Sequence, residues 1–162
     1  METEKRYENF PGWIVLLSNL VNLFIYGLGI YILLGLGWIW ATIYLIYVLV
    51  LEYRIMRYHC VDCYYRGKIC GFGKGLPSAF FFKKGEPARF CAKQMTWKNM
   101  IPDLLVSLIP TIAGIVLLIL KFDMWTLIAI LLLLILTTSG NALIRGKLTC
   151  KYCKQRDLGC PA

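Results

Sequence analysis

The sequence predicts an all-helical integral membrane protein: four transmembrane helices, arranged as two repeated hairpins with a small cysteine-rich cytoplasmic cap. Three observations predict it. The 162 residues are 59% hydrophobic and only 17% charged, too apolar for a soluble domain of that size. The 42 residues from Phe10 to Leu51 carry no charge. A Cys-x2-Cys-x6-Cys motif occurs twice, as Cys60, Cys63, Cys70 and again as Cys150, Cys153, Cys160, each time after a long apolar stretch.

A helix needs about 20 apolar residues to cross a bilayer, so the first uncharged run is long enough for two spans and must turn between them. Gly35-Leu36-Gly37 is the natural break, because glycine tolerates a tight reversal. The expected spans are Trp13 to Leu34 and Leu36 to Tyr53. The second hairpin follows the same logic: Ile101 to Leu120, a turn at Lys121-Phe122-Asp123, then Met124 to about Ile144. This divides the chain into a first repeat (1–72), an inserted basic and aromatic loop (73–100) and a second repeat (101–162). An approximate two-fold axis along the membrane normal is expected, because both hairpins begin on the same side. Glu2, Glu4 and Glu8 do not suit the basic start of a signal peptide, so the first span is expected to remain in the mature protein.

Lysine and arginine set orientation. Residues 54 to 100 contain ten, residues 145 to 162 five and residues 1 to 12 two, whereas the opposite turns contain only Lys121. Both termini and the cysteine motifs are therefore expected on the cytoplasmic side of the inner membrane, with nearly all of the +9 net charge. That charge suits anionic lipid headgroups first, and an acidic soluble partner or other subunits of a membrane complex second. No nucleic-acid recognition module accompanies it, so no nucleic-acid partner is expected.

Thiols on the cytoplasmic side stay reduced, which disfavours structural disulfides for the seven cysteines. A Cys-x2-Cys turn lets two sulfurs reach one centre, and a third cysteine closes another edge of its coordination. The expected ligands are Cys60, Cys63, Cys70, Cys150, Cys153 and Cys160, with Cys91 and His59 as candidates to complete a set of four. Each triplet could build its own centre, or the two Cys-x2-Cys turns could share one. An iron–sulfur cluster is favoured, of the 4Fe-4S type, with zinc as the alternative. Cys160-Pro161 resembles the Cys-Pro ending of bacterial ferredoxin cluster motifs across those two residues alone. The single histidine argues against a haem with two histidine ligands.

No charged residue lies at mid-span; Glu52, Asp103 and Asp123 all fall near span ends, which argues against ion-coupled transport. Polar residues in the spans read first as interhelical glue. Among them Asn19, Asn22, Thr111 and Thr138 are the candidates for a quinone headgroup or lipid site, with Pro102 and Pro110 loosening the third span. Trp13 and Trp97 are expected at one interface and Trp38, Trp40 and Trp125 at the other. The glycines from Gly71 to Gly75 suit a tight backbone path beside a cluster, but their order excludes a P-loop. Phe80-Phe81-Phe82-Lys83-Lys84 reads as rings laid into the membrane surface with wet ammonium groups.

The functional expectation is a non-catalytic membrane subunit that relays electrons to a partner or quinone. A zinc scaffold or assembly protein, and a thiol-based metal-handling or redox protein, are the alternatives.

Overall fold

A computed structural model describes residues 6–86, 90 and 97–158. Cys91 and Cys160 lie outside these residues. Four helices are long and apolar enough to cross a membrane: Gly12–Leu34, Trp38–Asp62, Met100–Leu120 and Met124–Tyr152. The elements are α1 (Gly12–Leu34), α2 (Trp38–Tyr58), the short α3 (Gly75–Phe81), α4 (Trp97–Leu120) and α5 (Met124–Ile135), with no strand among the described residues.

The turns fall where the sequence places them. Gly37 has φ +136°, a conformation that L side chains rarely adopt, and it separates α1 from α2. At the other hairpin Asp123 caps α5: its carboxylate accepts the Thr126 N–H at 3.0 Å and the Thr126 hydroxyl at 2.9 Å. Those bonds hold the Asp123 carboxyl below its ordinary value.

The second and fourth spans run further than expected. The second is helical through Tyr58 rather than ending at Tyr53. Beyond Ile135 the fourth continues as π-helical turns, Leu136–Gly140 and Leu143–Thr149. The sequence supplies a reason. Thr137 donates to the Leu133 and Leu134 carbonyls and Thr138 donates to Leu134, so hydroxyls compete for acceptors that the backbone ladder would use. A wider turn accommodates that competition.

The chain forms two compact units that do not follow chain order. The first comprises Met1–Leu20, Tyr53–Gln94 and Ala142–Ala162; the second comprises Val21–Glu52 and Met95–Asn141. In the second unit Ile25 and Ile32 of α1 pack with Ala129, Ile130 and Leu133 of α5. Leu33 packs with Ala41, Tyr44 and Val48 of α2. Its outer faces carry large apolar side chains, among them Leu23, Ile46, Ile112, Ile119 and Leu131, all exposed. Lipid contact accounts for such faces on long apolar helices. Trp38, Trp40 and Trp125 are exposed as well.

The prolines of α4 are held by tyrosines of α2. Pro110 has no N–H, so the carbonyl four residues earlier, that of Val106, loses its ordinary helical donor. The Tyr44 hydroxyl donates to that carbonyl at 2.8 Å. One helical turn along the same face, the Tyr47 hydroxyl donates to the Pro102 carbonyl at 2.7 Å. Tyr44 and Pro110 are both buried, so Tyr44 offsets the backbone cost of the proline where no water can. Tyr44→Phe should therefore cost about 1 kcal/mol in detergent-driven unfolding, the scale of an interhelical hydrogen bond in a membrane. Tyr31→Phe, on an exposed side chain of α1, should change nothing measurable.

Candidate metal centre

Both cysteine motifs lie in the first unit, and where both are described their backbones follow the same path. After α2 the chain tightens into a 3₁₀ turn at Cys60–Asp62, and after the π-helical turns it does so again at Cys150–Tyr152. The Cys63 N–H returns to the Cys60 carbonyl at 3.3 Å, and the Cys153 N–H to the Cys150 carbonyl at 3.3 Å. Three residues on, Arg66 N–H bonds to Cys63 O at 3.1 Å and Arg156 N–H to Cys153 O at 3.2 Å. The preceding residues match too: His59 has φ −113° and ψ −51°, Thr149 φ −106° and ψ −63°.

The residues just after the second cysteine of each motif clasp one another. Tyr64 N–H donates to Gln155 Oε1 at 2.7 Å, and Lys154 N–H donates to the Tyr65 hydroxyl at 2.9 Å. The same hydroxyl donates to the Tyr7 carbonyl at 2.6 Å. Tyr65 and Gln155 are both almost fully buried, so these polar groups find partners inside the unit instead of water. The N-terminal segment threads the clasp. Tyr7 N–H bonds to Tyr152 O at 3.1 Å, and Phe10 N–H to Ile69 O at 2.9 Å. Arg6 reaches the Cys153 carbonyl at 3.2 Å and Asp157 at 3.1 Å, while Lys154 pairs with Glu8. That pairing holds the Glu8 carboxyl below its ordinary value.

The sulfurs sit against an apolar wall. Phe10, Ile14 and Tyr65 form its buried core, and Cys63, Cys70 and Cys153 pack on it. Burial first, then the proximity of Cys153, Cys60 and Cys70, pushes the Cys63 thiol up to about 12, partly opposed by the Tyr65 N–H donating to its sulfur. Burial likewise pushes Tyr65 up to about 12. Cys63, Cys70 and Cys150 are free thiols. Among the described residues, no three His, Cys, Asp or Glu side chains are arranged to hold one metal ion. The described thiols lie in one unit, and no three of them meet at a point.

No protein-family model, curated protein or solved structure matches this chain.

The remaining site residues take other places. His59 meets the Phe90 ring edge-on at 6.3 Å between centroids. Asn19 belongs to the first unit, whereas Asn22, Thr111 and Thr138 belong to the second. Asn19 donates to Val15 O at 2.8 Å, Thr111 to Ser107 O at 2.7 Å and Thr138 to Leu134 O at 2.7 Å, each within its own helical run. These bonds are intrahelical where interhelical glue was expected. Ser18 is the exception: it reaches the Gly71 carbonyl at 2.5 Å. The glycine run packs against protein, with Gly71 facing Thr149, and Gly75 so close to the Tyr65 and Lys68 carbonyls that a Cβ would overlap them. Of the three phenylalanines, Phe80 and Phe81 are exposed, but Phe82 lies under the Arg57 guanidinium and against Tyr53.

Reading by residue type missed Tyr65, Gln155 and Arg66. Position offered a signal for them. Each follows the second cysteine of a motif, and the arginine recurs in both, so the repeat is Cys-x2-Cys-x2-Arg-x3-Cys.

Proposed function

We propose that this chain is a small membrane subunit that holds one or two cysteine-ligated iron–sulfur centres at the cytoplasmic face and relays electrons to a partner subunit or quinone. The observation that carries the reading is the clasp: two turns of the same backbone path, each bearing a Cys-x2-Cys pair, interlocked within one unit. Cys60, Cys63 and Cys70 form one ligand group and Cys150, Cys153 and Cys160 the other, with Cys91 next in line. Three sulfurs per turn suit a cluster better than an isolated ion, and an amide aimed at the Cys63 sulfur is a common means of tuning a cluster's potential. The apolar wall of Phe10, Ile14 and Tyr65 would limit solvent at the centre, which also tunes potential. The lysine and arginine bias supports the cytoplasmic side, and exposed Phe80 and Phe81 beside Lys83 and Lys84 support contact with an anionic lipid surface.

A structural zinc centre is the second reading. It is favoured by the pairing of two equivalent Cys-x2-Cys turns, whose four cysteines are the number a structural zinc site uses.

Anaerobic purification from membranes, followed by iron, zinc and acid-labile sulfide analysis and paramagnetic resonance, separates the two. The cluster reading expects iron and sulfide in equal amounts, brown colour and a signal on reduction. Stoichiometric zinc without colour replaces it with the scaffold reading. A protein with neither metal nor sulfide, before and after reconstitution, defeats both.

A further inference from the structure

A cavity of about 260 Å³ opens beside the first cysteine turn, and Cys63, Tyr64, Arg66, Lys68, Lys84 and Gly85 contribute to its wall. Three of these are cations and none is an acid. Two carboxylates lie nearby. Asp62 sits against Gly85 and accepts the Glu86 N–H at 3.2 Å, and Glu8, which feels the charge of Lys68, pairs with Lys154. Among the described residues no carboxylate forms an ion pair with Arg66, Lys68 or Lys84.

Two of the cations are held in place by neutral groups. Lys68 donates to the Tyr64 hydroxyl at 3.0 Å and lies over the Tyr64 ring, 4.2 Å from its centroid. Arg66 donates through Nη2 to the Ala79 carbonyl at 3.3 Å and to the Phe82 carbonyl, so the end of α3 orients its guanidinium. Its Nε–H is buried and has no acceptor among the described residues. A buried donor left unpaired is costly, and an anion is the acceptor that three cations on one wall attract.

We infer that this cavity binds a phosphate group. Several oxygens on one tetrahedral centre can meet an arginine and two lysines arriving from different parts of the loop, which a single carboxylate does less well. The volume is below the roughly 300–1,000 Å³ usual for small-molecule sites, so it suits a headgroup or a small phosphate rather than a nucleotide. Arg66, Lys68 and Lys84 supply the charge that draws the phosphate, and Cys63 shares the wall with them. The phosphate comes from an anionic phospholipid or from solution.

Full-length protein in phosphatidylcholine nanodiscs is titrated with inorganic phosphate by calorimetry, and protein from membranes containing phosphatidylglycerol is examined for retained lipid by native mass spectrometry. Lys84→Gln changes an exposed side chain and should weaken binding about fivefold, with Lys68→Gln/Lys84→Gln weakening it about 25-fold. Lys147→Gln, exposed and outside the cavity, should leave it unchanged. Retained phosphatidylglycerol that the double variant loses assigns the lipid source; phosphate binding without retained lipid assigns the soluble source. If folded wild-type protein binds neither, or if the double variant binds as well as wild type, the inference fails. Iron, zinc and sulfide content, measured on the same samples, reports separately on the proposed function.

Discussion

If the two turns hold a metal as proposed, Cys63→Ser and Cys153→Ser should each strip it from the purified protein, lowering its affinity by about 100-fold or more. Changing a group that merely supports a ligand already costs 10- to 100-fold, and these variants remove a proposed ligand itself. Serine is not ionised at neutral pH and offers a hard oxygen where a soft thiolate is needed. The two variants sit at equivalent positions of the two turns, each extended just after the 3₁₀ turn, with φ −80° at Cys63 and −81° at Cys153. A shared centre should respond equally to either. Cys70→Ser then distinguishes the arrangements: a single centre held by the two Cys-x2-Cys pairs keeps its metal, whereas separate centres built on triplets lose one of them. His59→Ala should leave the metal in place, since the ring packs on Phe90. Unchanged metal content in both Cys63→Ser and Cys153→Ser, measured against protein by elemental analysis, would sink the clasp as a ligand frame.

Tyr65→Ala should cost about 3–5 kcal/mol, the range for deleting a fully buried aromatic side chain. Its ring fills the space among Phe10, Ile14 and the cysteines, and its hydroxyl joins the N-terminal segment to the second motif. Tyr65→Phe keeps the ring and removes the joint, leaving the Tyr7 carbonyl and the Lys154 N–H to find other partners. That change should cost about 1–2 kcal/mol. Amide hydrogen exchange at Tyr64 and Lys154, and trypsin cleavage after Lys154 and Arg156, give the local readout. Wild-type protection in Tyr65→Ala would show that the motifs hold together without the clasp.

The spans were legible because a bilayer leaves a chain few choices. Inside it every backbone polar group must be satisfied within the segment, so a long uncharged run must be helical and its turn must fall at the residues able to make one. Gly37 and Asp123 are those residues. The ends of the spans were less legible, because hydropathy fades before hydrogen bonding does. Nothing in the apolar pattern announces that the helix carrying Thr137 and Thr138 continues, with widened turns, to Thr149.

The polar residues show the limit most clearly. By type, Tyr44 and Tyr47 suit packing or the membrane interface, and Pro110 loosens a helix. Only the side-by-side placement of α2 and α4 turns one into the donor for the carbonyl freed by the other. Thr111 and Thr138 have the chemistry to line a headgroup site, and their hydroxyls also donate to carbonyls of their own helical run, which residue type alone does not announce.

Residue order alone specifies four apolar helices, their two turns and the paired cysteine spacing, because burial in lipid and the reach of a short turn are local constraints that it expresses directly. Long-range packing is what locks the two motifs together through Tyr65 and Gln155 and puts Arg66, Lys68 and Lys84 on one cavity wall. Those pairings join residues up to 91 positions apart. They depend on which surfaces meet after the chain has collapsed, and no local pattern records that.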